Sequence, residues 1–263
     1  MTKKRVKQVQ IIQKLPLAVL FSSISFFSTA EEGIYDNFEV LGLGIGYGSD
    51  QSIYKGGKTE GSITPGVEVQ WGPLFLRGGQ LGSYLYGGEN FGIAAAIGMG
   101  DEVGSTDRGD SDDLKDMTKL DDVTTGSIMF FYEADFGDID FVLTSDISGK
   151  HKGQTAALSY AYPIELSSRW ELAPSISAQW VSGKTNNYYY GVTQTDVKAD
   201  RAYYKAGSGV NYSAGLSAMY EITEHHGLMF DASYTRYSSQ VTDSPIVDRK
   251  SSSGVSVMYQ YRF

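Results

Sequence analysis

The stretch Ser251–Phe263 reads SSSGVSVMYQYRF. Val255, Val257, Tyr259, Tyr261 and Phe263 fall on one side of an extended chain, and Gly254, Ser256, Met258, Gln260 and Arg262 on the other. Apolar residues at a period of two mark a β-strand with one greasy face. Such a strand needs a partner on both edges if it lies in hydrocarbon, where each orphan backbone group costs several kcal/mol. We expect it to pair with the first strand and close a barrel, its apolar side on lipid and its polar side on the lumen.

The same period recurs along the chain. In VLGLGIGYG, Leu41, Leu43, Ile45 and Tyr47 share a face, and Gly42, Gly44, Gly46 and Gly48 leave the other face bare. Ile63 to Trp71, Phe91 to Met99, Ile128 to Phe136, Phe141 to Ile147, Leu158 to Tyr162, Trp170 to Trp180, Val210 to Tyr220 and Leu228 to Tyr234 repeat the alternation. With 73–79 and 80–86 the count reaches about twelve. Many segments approach the ~9–11 residues of a tilted membrane strand. The connections alternate between short (Gly137-Asp138, Pro163–Arg169, Glu221–Gly227) and long and polar (Gly100–Asp122, Ser182–Gly207, Ser238–Ser251). Short periplasmic turns and long outer loops are the pattern of an outer-membrane barrel. The expected fold is therefore an all-β, transmembrane, antiparallel up-and-down barrel.

Composition agrees. The 263 residues include 31 Gly, 19 Tyr and no Cys, which excludes a disulfide framework and a thiolate metal site. No stretch after residue 30 is apolar over eighteen residues, so a helical membrane protein is excluded. Residues 1–30 combine Lys3, Lys4, Arg5, Lys7 and Lys14 with an apolar run from Leu15 to Phe27 and the small residues Ser28-Thr29-Ala30. This is the layout of a secretory signal peptide, with the barrel occupying 31–263. Losing those five positive charges takes the net charge from −9 to −14. So acidic a chain argues against nucleic acid as a partner.

Aromatic residues near strand ends are expected to form girdles at the two lipid headgroup levels. They are Phe136, Phe141, Tyr162, Trp170, Tyr220, Tyr259, Tyr261 and Phe263 at the periplasmic side, with Trp180 at the outer side. Outer-membrane lipid and lipopolysaccharide are the surroundings this implies. Tyr261 and Phe263 resemble the terminal aromatic signal read by the barrel-assembly machinery.

The expected lumen carries the acids Glu68, Glu133, Asp135, Asp140, Asp146, Glu171 and Asp231 against Arg77 and Arg262, a field that favours cations. Other chemistry is weakly supported. Gly44-x-Gly46-x-x is followed by Ser49 and no helix, so it fails as a dinucleotide fingerprint. The nine acids of Gly100–Asp122 match no EF-hand register and read as a solvated outer loop. His151, His225 and His226 read as solvated turn residues, none on an inward strand position beside a Ser and a carboxylate. No catalytic residue, cofactor or metal site is expected.

Three stretches, NYYYGVT (Asn187–Thr193), AYYKAGSGVNYSAGLSAMYEIT (Ala202–Thr223) and DSPIVDRKSSSGVSVMYQYRF (Asp243–Phe263), together resemble the MipA/OmpV family of outer-membrane proteins. The resemblance is strongest from about Asp122 onward. LKDMTKLDD (Leu114–Asp122) departs from it, being poorer in glycine. The resemblance implies a non-enzymatic outer-membrane barrel acting as a scaffold for a lytic murein transglycosylase and a murein synthase. It also implies two alternatives, an osmolarity-related porin-like protein, which the acidic lumen would make a narrow, cation-preferring channel, and a surface adhesin.

Overall fold

A computed structural model describes residues 38–88, 90–101 and 103–263. The expected signal peptide lies outside the described residues. The described chain forms one antiparallel sheet. Its strands are β1 (Phe38–Asp50), β2 (Glu60–Trp71), β3 (Leu74–Arg77), β4 (Gln80–Gly87), β5 (Phe91–Met99), β6 (Thr124–Ala134), β7 (Gly137–Asp146), β8 (Gln154–Ala161), β9 (Ile164–Glu165), β10 (Trp170–Val181), β11 (Gly209–Glu221), β12 (His226–Arg236) and β13 (Ser251–Arg262). Consecutive strands pair throughout except β8 and β9, and β13 pairs with β1, which closes the barrel. β8 and β9 both lie along β10, Ala161 opposite Ser175 and Ile164 opposite Leu172. They are two pieces of one barrel strand, interrupted where Pro163 can give no N–H to a ladder. The barrel is thus twelve-stranded, and among the described residues no helix is long and apolar enough to cross a membrane.

The terminal strand does what its pattern requires. Tyr261 lies opposite Leu43, Tyr259 opposite Ile45 and Val257 opposite Tyr47, so the apolar sides of β13 and β1 form one surface. Leu43, Ile45, Leu81, Ile97, Leu158, Ile176, Leu216 and Val255 are all exposed on that outer surface. The bare glycine face of β1 points inward and is covered by β13: Met258 Sδ would lie 3.5 Å from a Cβ on Gly44 and 3.6 Å from one on Gly66.

Two turns depart from expectation. The β6–β7 turn falls at Asp135-Phe136, because Ala134 pairs with Gly137, whose φ of +121° favours glycine. Segment 73–79 yields a strand of only four residues, because Gly78 and Gly79, both at positive φ, turn the chain back immediately after Arg77.

Candidate functional site

Four outer loops converge on the mouth of the barrel and bury a core of their own. Ile53 and Tyr54 come from the β1–β2 loop, and Val103, Leu114 and Met117 from β5–β6. Tyr189, Tyr190 and Val192 come from β10–β11, and Val241, Ile246 and Val247 from β12–β13. Helix α1 (Gly183–Tyr190) builds the centre, its first turn capped by Ser182 Oγ, which accepts from Thr185 N–H. Tyr190 stacks on Tyr54 at 5.5 Å, donates to Val103 O at 2.5 Å, and receives Ser244 Oγ on its own carbonyl at 2.6 Å. Burial pushes the phenols of Tyr54 and Tyr190 up. Of the three stretches quoted for the family resemblance, NYYYGVT and the start of DSPIVDRK meet here.

Charged residues staple the cap. Buried Arg201 donates to Asp116 Oδ2 at 2.5 Å and to Asp196 O at 2.7 Å. Thr118 N–H and Oγ both donate to Asp196 Oδ1. Bonds from Arg201 and Lys198 hold the Asp116 carboxyl well below the usual carboxylate range. Burial pushes Asp196 up, but donors from Thr193 and Thr118 outweigh it and leave it low.

The expectation of a freely solvated Gly100–Asp122 loop is therefore corrected: Asp101, Arg108, Ser111, Leu114 and Met117 are buried, held by packing against the other loops. So is the expectation for His151. Its side chain is 2% exposed, with Nε2 2.9 Å from Asp101 Oδ2, and its ring packs on Tyr188 and Tyr189. A solitary His between two lysines gave no sign of this, because both aromatic partners and Asp101 come from other loops. His225 and His226 do lie at the periplasmic end, bonded to Arg262 O and Tyr259 OH. No group of three or more metal-binding side chains occurs among the described residues.

Below the cap the lumen is divided. On the β3–β7 side Phe75, Ala94, Ala96, Met129 and Val142 form an apolar cluster flanked by Tyr84 and Phe131. On the other side hydroxyls pair across strands, as in Ser213–Thr235 at 2.9 Å. A cavity of about 30 Å³ lies under the cap beside Asp101, Thr125, Thr144 and Gln179.

The expected lumen acids take different places. Glu68, 1% exposed, pairs with Arg77. Asp140 is buried on β7, and Glu133 and Glu171 are half-buried on β6 and β10. Asp231 accepts from Ser217 Oγ at 2.6 Å and Ser256 Oγ at 3.2 Å. Asp146 closes β7, its carboxylate taking N–H groups of Gly149, His151 and Lys152, and so organises a loop. Asp135 does not reach the lumen: it is exposed in the periplasmic turn, two residues short of where β7 begins. Among the girdle aromatics, Phe136, Tyr162, Trp170, Trp180, Tyr259 and Phe263 are exposed on the outer surface. Phe141, Tyr220 and Tyr261 are half-buried against ring neighbours, Trp170–Tyr220 at 4.7 Å and Tyr261–Phe263 at 4.9 Å.

Comparison with known proteins gives this architecture a family. The model of MltA-interacting protein MipA matches residues 41–263. The chain is 24% identical over 214 residues to the putative outer membrane protein YiaT of Escherichia coli K12, covering 81% of this chain and 86% of that one. It is 25% identical over 226 residues to the MltA-interacting protein of the same organism, covering 84% and 89%. It is 32% identical over 127 residues to outer membrane protein Omp26La of Vibrio anguillarum, covering 48% and 49%. Among solved structures it is similar to the NanC porin, with TM-score 0.44 and 8% identity over 84% of this chain and 100% of that one. A closed twelve-stranded barrel with an apolar outer belt, matched over nearly all its described length by one family, leaves one assignment: the chain belongs to the MipA family of MltA-interacting proteins and is an outer-membrane β-barrel.

Proposed function

We propose that this barrel is a non-enzymatic anchor that docks murein-degrading and murein-building enzymes at its periplasmic rim. The observation that carries the reading is the contrast between the two ends. The outer mouth is covered by a cap with a buried core, while the periplasmic turns carry exposed apolar side chains, Leu166 at 59% with Ile164 and Ile222 near it. Glu221 N–H donates to Arg169 O at 2.8 Å, which fastens the β9–β10 turn beside the β11–β12 turn. Several turns acting together are needed to reach the ~800 Å² per partner of a specific interface. The relative named MltA-interacting protein, similar along 84% of this chain, supports a murein enzyme as the partner.

The test is capture of a murein transglycosylase and a murein synthase from solubilised envelopes by the immobilised barrel. Capture should fall with Leu166→Asp and Ile222→Asp while the barrel still folds. The inward carboxylates Glu133, Glu171 and Asp231 favour a second reading, a narrow cation-preferring channel. Failure of capture, together with conductance steps in planar bilayers whose cation preference drops in Asp231→Asn and Glu171→Gln, would replace the first reading by the second.

A further inference from the structure

The barrel wall has a notch in its outer half. β2 runs twelve residues, but β3 pairs with it only at Val69–Leu76, Gln70–Phe75 and Trp71–Leu74. Above Arg77 the Gly78-Gly79 turn ends the hairpin, so from Gly61 to Val67 the β2 edge away from β1 meets no strand among the described residues. The turn is the floor of the notch, with no atom within 4 Å of a Cβ placed on Gly79. The end of β5 at Met99 is its far side. The 100–123 loop backs it, Gly109 O accepting from Lys58 N–H at 3.0 Å. The outer face is apolar here: Ile63 is 71% exposed, and Pro65 and Val67 are also exposed. Ile63 lies opposite Tyr47, near the outer end of β1.

The chemistry of the open edge follows from register. Trp71 and Leu74 flank a two-residue turn and bond to one another. With a period of two, the N–H and C=O groups of Val67, Pro65, Ile63 and Gly61 point to the same edge. Pro65 has no N–H, and a Pro inside a sheet sits where none is required. The edge therefore carries four carbonyl acceptors against three N–H donors, one donor short. Hydrocarbon cannot satisfy those carbonyls, and each one left bare costs several kcal/mol.

We propose that the notch binds one molecule of lipopolysaccharide from the outer leaflet, its acyl region lying along β2 from Gly61 to Val67. The match is chemical. Amide-linked, hydroxylated acyl chains bring N–H and O–H donors to the depth where the carbonyls are open. The ester-linked chains of glycerophospholipids bring only acceptors. An added strand from another protein fits less well, because Pro65 blunts the edge against strand pairing. Lys58, at the upper end of the notch, is half-exposed beside Asp110 in a surface pair that exchanges readily for a lipid phosphate. The inference uses a surface remote from the periplasmic rim and stands or falls separately from murein-enzyme docking.

The test is native mass spectrometry of the full chain released from outer membranes. One retained lipopolysaccharide is expected. It should be lost from a variant whose β3–β4 hairpin is lengthened by alternating Thr-Val residues on both sides of Gly78-Gly79, so that β2 gains its missing neighbour. Equal retention by the variant, retention of phospholipid alone, or a dimer in its place overturns the proposal. Should that variant fail to fold, hydrogen exchange on the unaltered chain decides. The Ile63 and Val67 amides should exchange more slowly in bilayers containing lipopolysaccharide than in phosphatidylethanolamine–phosphatidylglycerol bilayers, and equal rates refute the site.

Discussion

His151 and Asp101 bring two outer loops together: Nε2 of the imidazole lies 2.9 Å from Asp101 Oδ2, and Nδ1 accepts the N–H of Gly153 at 2.9 Å. The ring proton therefore sits on Nε2, the tautomer that the Gly153 bond selects. Replacing His151 by Phe keeps the packing on Tyr188 and Tyr189 but removes the ring nitrogen that faces the buried Asp101 carboxylate. An unsatisfied buried group costs about 1–3 kcal/mol. The expected outcome is a cap that opens locally while the barrel stays folded, read as faster trypsin cleavage at Lys150 and Lys152 on intact cells. Unchanged cleavage would show that the pair is not holding the loops.

Acid should loosen the same cap. The Asp116 and Asp196 carboxyls are depressed below their ordinary range by donors from Arg201 and Lys198 and from Thr193 and Thr118. A depressed carboxylate contributes stability that is complete above its unfolded pKa of ~3.9 and is lost as pH falls through the lower folded value. Between pH 5 and 7 these two carboxylates stay ionised and their contribution is constant. Below about pH 4 exchange protection of the 110–120 and 193–201 amides should fall while far-ultraviolet circular dichroism stays constant. Loss of protection already at pH 6 would point to some other group.

The strands were legible because lipid enforces them. A membrane strand must present alternate apolar residues, and runs such as Leu41–Tyr47 and Val255–Phe263 state that directly. The cap was not legible. Its core is assembled from pairs and triplets, Ile53-Tyr54, Tyr188–Tyr190 and Ile246-Val247, too short to carry a period and dispersed among polar loops. Strand β3 was legible in place but not in length: the Gly78-Gly79 turn ends it after Arg77, and Leu76 and Leu81, paired across that turn, both stay on the lipid face. Asp135 was misplaced by a two-residue error in one turn, enough to take an expected lumen acid out to solvent.

Glu68 and Arg77 test how the lumen tolerates charge. Glu68 is almost fully buried and paired with Arg77, itself largely buried. Glu68→Gln leaves the guanidinium without its counter-charge, and breaking a buried pair costs about 3–5 kcal/mol. Removing both charges, as Glu68→Gln with Arg77→Met, should recover most of that loss. Urea unfolding in detergent micelles followed by tryptophan fluorescence measures both. A double variant no more stable than the single would mean that the pair is not the source of the cost.

The terminal ring can be separated from barrel stability. Phe263 is 67% exposed and, among the described residues, Tyr261 is its one aromatic ring contact. Phe263→Ala therefore removes little packing, and refolding into detergent should be nearly unchanged. If Tyr261 and Phe263 are what the assembly machinery reads, the same variant should reach the outer membrane severalfold less in cells. Equal membrane levels would leave the pair as girdle residues only.

Tyr190 links the cap to the question of conduction. It is fully buried, stacks on Tyr54, and bonds to Val103 O, while its own carbonyl receives Ser244. Truncation of a buried aromatic to Ala costs about 3–5 kcal/mol, more than local loop structure withstands. Tyr190→Ala should therefore uncover the outer mouth without touching a barrel strand. The unaltered protein is expected to leave planar bilayers silent. The variant should pass discrete currents that favour cations, because Glu133, Glu171 and Asp231 face inward below the cap. Currents of equal size from both would mean that the cap already lets ions through, and would move the balance from docking toward a channel.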